Sequence, residues 1–232
     1  MKIGILAAMR KELELLRPLL QECEERDIEG RQAWFGKVGN SEVCLMQCGI
    51  GKVNSALMSR RLIEAFEPDL IINSGVAGGA DPSMKIGTLL VATGAAYHDA
   101  WCGPGTEYGA ADGFPPILEC DRRLVERAET LLTGHGVREG LICSGDKFIT
   151  TAEEIAEIKN HFPEALACDM ESASIGQTCS EAGIPFAILR VVSDTPGQGG
   201  NISQYENFWV EAPMKTFEAV GTLLHSLGNE DD

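Results

Sequence analysis

Short apolar runs alternate along this chain with segments whose apolar residues recur at helical spacing, and that alternation restricts the fold more than any other feature. KIGILAA (2–8), DLIINS (69–74) and IPFAILRVV (184–192) read as strands, each leading into glycines, acids or a helical stretch. Strands alternating with crossover helices build an α/β protein. The pattern predicts strands at 2–8, 32–37, 42–48, 69–74, 88–95, 138–144 and 185–192. Helices are predicted at 10–24, 52–66, 121–133, 151–160, 170–182 and 211–227. Val53, Ala56, Leu57, Leu62 and Ile63 give the second helix its stripe. Met214, Phe217, Val220, Leu223, Leu224 and Leu227 give the last helix a face that should pack on the sheet. The turn Val38-Gly39-Asn40-Ser41 reads as a hairpin, so the expected fold is a single domain with a central mixed β-sheet flanked by helices. At 232 residues and 44% hydrophobic content, the chain suits one sizeable core.

The charge balance narrows the partners. A formal net charge of −16 argues against nucleic acid, whose phosphates are bound by clustered Lys and Arg. No apolar run approaches the roughly 20 residues needed to span a bilayer, so no membrane partner is expected. MKIGILAAM passes straight into charged helix formers, without the apolar core and cleavage site of a signal peptide. The eight cysteines contain no CxxC pair and read as reduced thiols of a cytoplasmic protein. The histidines, at 98, 135, 161 and 225, form no ligand-spaced cluster, so neither a metal nor a cofactor is expected. His98-Asp99 reads either as an acid–base pair or as a structural hydrogen bond. A small neutral or zwitterionic ligand is the partner the charge allows.

Acids at strand ends are the candidates for chemistry, because open α/β sheets present their ligands there. Asp169-Met170-Glu171 follows ALAC (165–168), Ser193-Asp194 closes the long apolar run, and Glu12 follows the first strand. Each has a plainer reading: Asp169 and Glu171 at a helix start, Asp194 as a turn cap, Glu12 as one exposed charge among many. Glycines recur beside these acids in CGIGKVNSA (48–56) and NSGVAGGA (73–80). Asn54 and Val53 stand where a dinucleotide fingerprint and a P-loop would need Gly and Ser or Thr, so both nucleotide motifs fail. The glycines then read as tight turns or as a backbone-lined ligand wall. WCGPGTEYGAADGFPPIL (101–118) and TPGQGGNIS (195–203) read as loops that could rim the site.

Together the segments MKIGILAAMRKE (1–12), CGIGKVNSA, DLIINSGVAGG (69–79), YHDA (97–100), GLICSGDKFI (140–149), ACDMESASI (167–175) and ILRVVSD (188–194) resemble the 5′-methylthioadenosine/S-adenosylhomocysteine nucleosidase family. That family lies within the nucleoside phosphorylase superfamily, and the match is collinear. The resemblance implies a nucleoside phosphorylase-like fold, a homodimer, and hydrolysis of the bond between adenine and ribose. It implies that Glu12 deprotonates the attacking water and that Asp194 protonates the purine at N7. Glu171 would bind the ribose hydroxyls over Met170, with Arg190 holding that carboxylate. Phe148 would stack on the base and the Ile149 backbone would read its edge. Met9, Ile50, Val76, Gly78, Ser193 and Tyr205 would complete the substrate-binding walls.

The sequence departs from the family at three places. Val76 stands where many members have Ser, the 101–109 loop differs, and after Asp194 either Tyr205 or Phe208 could be the covering aromatic. A nucleosidase for another 5′-modified nucleoside, such as futalosine, and a phosphate-dependent phosphorylase remain the alternatives. Arg10 and Lys11 keep the second open, although Glu12 beside a phosphate is unfavourable.

Overall fold

Strands of one mixed sheet and the helices between them account for most of the chain. In order the elements are β1 (Lys2–Ala7), α1 (Arg10–Leu16), β2 (Gln21–Ile28), β3 (Arg31–Val38), β4 (Ser41–Gln47), α2 (Lys52–Phe66), β5 (Leu70–Gly79) and β6 (Leu89–Tyr97). They continue as β7 (Ile117–Glu119), α3 (Arg122–Leu132), β8 (Val137–Ser144), α4 (Ala152–His161), β9 (Ala165–Asp169), α5 (Ser172–Ala182), β10 (Phe186–Asp194), α6 (Asn201–Glu211) and α7 (Met214–Gly228). This computed structural model describes residues 1–134, 136–211 and 214–229, with side chains at all of these except 210, 211 and 214–216. His135, the Met214 side chain and the acidic run Glu230-Asp231-Asp232 lie outside the described residues.

One mixed sheet of ten strands holds the fold together. β10, buried along its whole length, pairs in parallel with β5 and antiparallel with β6. β6 pairs with β8, β8 with β9, and β9 returns to β5, so these strands close into a ring. β1, β4, β3 and β2 extend from β5 as an open wing. Closure matters for function, because the ends of β1, β5, β9 and β10 then meet at one mouth.

The hairpin is present, with Val38 opposite Ser41 across Gly39-Asn40. The end of α7 docks on that turn, where the Asn40 amide donates to the Gly228 carbonyl at 2.8 Å. A Cβ at Gly228 would lie 2.3 Å from the Val38 oxygen, so only glycine allows the approach. Phe217, Val220, Leu223, Leu224 and Leu227 are buried, and α7 lies on β10 and β5 as its stripe predicted.

Several boundaries differ from the pattern reading. The helix predicted over 10–24 ends at Leu16, passes through a 3₁₀ turn at Arg17–Leu19, and gives way to β2. Pro18 explains the break, since it has no amide to donate into the turn before it. β2 is an exposed, charge-rich edge strand, and charge on an edge discourages pairing with another chain. The short strand β7 begins at the end of the segment read as loop 101–118, and α6 begins within the segment read as loop 195–203. In α2, Leu62 is buried as predicted, but Val53 and Leu57 are 69% and 54% exposed. Met58, Ser59 and Phe66 occupy the buried face instead. Among the described residues no helix is long and apolar enough to cross a membrane.

Candidate active site

At the mouth formed by the strand ends lies a half-open cavity of about 100 Å³. Met9, Glu12, Ile50, Val76, Gly78, Phe148, Ile149, Met170, Glu171, Arg190, Ser193, Asp194 and Tyr205 all line it. Ala8, Ala77, Lys147, Cys168 and Asp169 line it too, and the sequence reading gave them no place on its walls. The signal for Ala8, Ala77 and Cys168 was their position beside residues already singled out at strand ends.

Glu12 is fully buried in the first turn of α1. Its Oε2 accepts the Met9 amide at 2.8 Å and its Oε1 accepts the Val76 amide at 3.2 Å. The exposed-charge reading of Glu12 is therefore wrong: the capping box that starts the helix also turns this carboxylate inward. Burial pushes its pKa up, while Arg190 and the two amides pull it down. A Cβ at Gly75 would lie 2.4 Å from Arg190 Nη1 and 2.7 Å from Glu12 Oε1, so a side chain there would displace both groups.

Arg190 sits at the centre of the acids, on the buried strand β10. Its Nη2 is 2.8 Å from Asp169 Oδ2 and 3.6 Å from Glu171 Oε2. The same nitrogen donates to Asn73 Oδ1 at 2.8 Å, and Nη1 donates to the Val76 carbonyl at 3.2 Å. Arg190 therefore reaches Glu171, but its closest acid is Asp169. Asp169 does sit at the helix start, where it accepts the Ser172 amide at 3.2 Å. It is also the main counter-ion of the buried guanidinium, which the helix-start reading did not contain. Glu171 accepts the Gly51 amide at 3.0 Å. Burial and the neighbouring Asp169 raise its pKa to about 7, against the pull of Arg190.

Asp194 is placed by an irregularity in β10. The register with β5 shifts between Val192 and Asp194, so Asp194 stands opposite Gly78. Bulges of this sort re-aim side chains beside functional sites. Ser193 Oγ donates to Asp194 Oδ1 at 2.7 Å. Burial raises the Asp194 pKa, and the Ser193 and Asn201 hydrogen bonds oppose that rise without cancelling it.

The remaining wall is aromatic. Phe148, 43% exposed, meets Tyr205 edge to face at 5.7 Å between centroids. The Tyr205 hydroxyl donates to Met9 Sδ at 3.3 Å. Between the two aromatics left open by the sequence, Tyr205 lines the cavity and Phe208 is buried in the core. Arg10 and Lys11 face elsewhere: Arg10 pairs with Glu14, and Lys11 lies 3.7 Å from the centroid of the Trp209 ring. His98 and Asp99 do not form an acid–base pair, since Asp99 binds Lys52 and His98 Nε2 has no hydrogen-bond partner.

This fold and this site define a class. The family model described as the phosphorylase superfamily matches residues 2–225. A 5′-methylthioadenosine/S-adenosylhomocysteine nucleosidase of Exiguobacterium sp. is 38% identical over 98% of this chain and 99% of its own. An S-adenosylhomocysteine nucleosidase from Streptococcus pyogenes, solved with 5-methylthiotubericidin, superposes with a TM-score of 0.93 at 36% identity, covering 98% of this chain and 97% of its own. The 5′-methylthioadenosine/S-adenosylhomocysteine nucleosidase from Neisseria meningitidis, in complex with methylthio-immucillin-A, gives 0.92 at 32% identity, covering 97% and 99%. The chain belongs to the 5′-methylthioadenosine/S-adenosylhomocysteine nucleosidase family.

Proposed function

We propose that this protein hydrolyses the N-glycosidic bond of 5′-methylthioadenosine and S-adenosylhomocysteine, releasing adenine and the 5′-substituted ribose. The observation that carries the reading is one cavity lined by four carboxylates, three of which stand in different surroundings suited to chemistry: Glu12 on amides, Glu171 beside Asp169 and Arg190, and Asp194 among neutral donors. Breaking the bond builds positive charge on the ribose and negative charge on the leaving base. Asp194, whose pKa burial raises, gives its proton to N7 of the purine. Glu171 accepts from the ribose hydroxyls and offsets the charge on the sugar. Glu12 takes a proton from the water that attacks the anomeric carbon. Each such proton transfer contributes roughly 10²- to 10⁴-fold. Phe148 and Tyr205 enclose the base, and Met170 packs beneath the sugar.

Hydrolysis is favoured over phosphorolysis because the cations on the cavity wall are already neutralised. Arg190 is paired with Asp169 and Glu171, and Lys147 with Glu154. Incubation with methylthioadenosine, with and without inorganic phosphate, tests this. Adenine should appear at the same rate in both, and strict dependence on phosphate would overturn the reading.

Residues 1–232 act as one nucleosidase domain, a reading supported by the single sheet. The working form is a homodimer. Val53 and Leu57 expose the outer face of α2, beside Ile50 on the cavity wall, and a second copy would cover them. Light scattering at micromolar concentration should give twice the monomer mass, and a monomer there would refute it. Eight free cysteines suit a reducing cytoplasm.

A further inference from the structure

The sugar wall and the base wall of the cavity come from different loops, and three residues outside the cavity tie those loops together. α2 starts at Gly51, which has no side chain to cap it. The Gly51 amide instead serves Glu171 Oε1 at 3.0 Å, and the next amide, that of Lys52, is capped at 2.7 Å by Asp146 Oδ1 from the loop after β8. The Asp146 amide in turn donates to Asp99 Oδ2 at 2.9 Å. Lys52 Nζ closes the circuit with both Asp99 oxygens, each at 2.7 Å. Two glycines let these groups approach closely. A Cβ at Gly145 would lie 2.4 Å from the His98 ring, and one at Gly51 would lie 2.9 Å from Asp146 Oδ1.

We propose that Lys52, Asp99 and Asp146 form a positioning ring that locks the Gly51–Glu171 contact on the sugar side to the Phe148-Ile149 segment on the base side. Asp146 is the key member. It is two residues before Phe148 in the chain and directly caps the helix whose preceding amide holds Glu171. If the ring opens, Glu171 loses its fixed donor and Phe148 loses its anchor together. The ring lies outside the reacting atoms, so it acts only through those two groups.

The proposal rests on the proposed function, and its test separates the two. Wild-type release of adenine from methylthioadenosine judges the function; adenine affinity by calorimetry reads the ring even if that release is absent. Asp146→Ala should lower kcat about tenfold and weaken both KM and adenine affinity by a similar factor, since a small misplacement of binding groups carries a large rate penalty. Asp146→Asn should return all three to within about twofold of wild type, because Asn caps a helix as well as Asp does. A purely structural role would lower the unfolding temperature while leaving kcat, KM and adenine affinity of the folded protein unchanged. That result, or a failure of Asn to rescue, overturns the ring. Should Asp146→Ala not fold, Lys52→Met carries the same comparison. It should weaken kcat and adenine affinity together, and unchanged values would overturn the ring equally.

Discussion

On the proposed sugar side of the cavity, Glu12, Asp169 and Glu171 gather around the Arg190 guanidinium, whereas on the proposed base side Asp194 stands among the neutral side chains of Ser193 and Asn201. Both regions are buried, so burial alone does not separate their roles. The cation does. At Glu12 and Glu171 the Arg190 guanidinium opposes the rise that burial imposes, in the direction a base or a hydrogen-bond acceptor requires. At Asp194 no cation opposes the rise, and a raised pKa favours the proton that an acid must hold. Glu171 shows the limit of this rule, since burial and then the neighbouring Asp169 outweigh Arg190 and raise its pKa to about 7.

The hardest blow to this division is removal of the proton on the base side. Asp194→Asn keeps the shape and the hydrogen bonds but cannot give a proton to N7. It should lower kcat by roughly 10²- to 10⁴-fold with KM little changed. Wild-type turnover in this variant would place the acid elsewhere. The next largest effect lies on the sugar side and in stability. Arg190→Met leaves Asp169 and Glu171 buried without their cation, and breaking a buried pair in this way costs about 3–5 kcal/mol. Denaturant unfolding should show that loss, and a change under about 1 kcal/mol would mean that the acids simply take up protons.

A smaller change sharpens the contrast by moving one pKa. The Ser193 hydroxyl favours the ionised form of Asp194, so Ser193→Ala raises the Asp194 pKa further. On the proposed function the active form is protonated Asp194, so activity should be lost as pH rises through its pKa. The basic limb of the kcat/KM profile should therefore move to higher pH, with the acidic limb in place. Movement to lower pH would show that Asp194 acts in its charged form.

The part of this site legible in the sequence was local. A strand followed at once by an acid marked Glu12, Glu171 and Asp194, because the strand ends of an α/β sheet face the ligand. What the sequence hid was set by pairing between distant segments. Asp169 read as a helix-start residue and is one, but its bond to Arg190 depends on how β9 and β10 join the ring of strands. The circuit of Lys52, Asp99 and Asp146 links three loops that no local pattern connects. β2 was lost for a different reason: its charged residues are good helix formers, and only pairing with β3 makes it a strand. α6 carried an available signal in the spacing of Ile202, Tyr205 and Trp209, but the glycines before it drew the reading toward a loop.

The smallest expected effect concerns how the base side stays closed without charges of its own. α6 carries Tyr205 over the cavity, and it is held to α1 by Lys11, whose Nζ lies 3.7 Å from the Trp209 centroid and 5.2 Å from that of Tyr205. A cation over an aromatic face at a partly exposed site contributes about 0.5–1 kcal/mol. Lys11→Met keeps the apolar stem and removes the charge, so it should raise KM by roughly two- to fivefold and leave kcat unchanged. Backbone amides of α6 should exchange faster in the same variant, while those of β10 should not. If kcat falls and KM holds, Lys11 acts on its neighbour Glu12 instead, and the base side would depend on the same electrostatics as the sugar side.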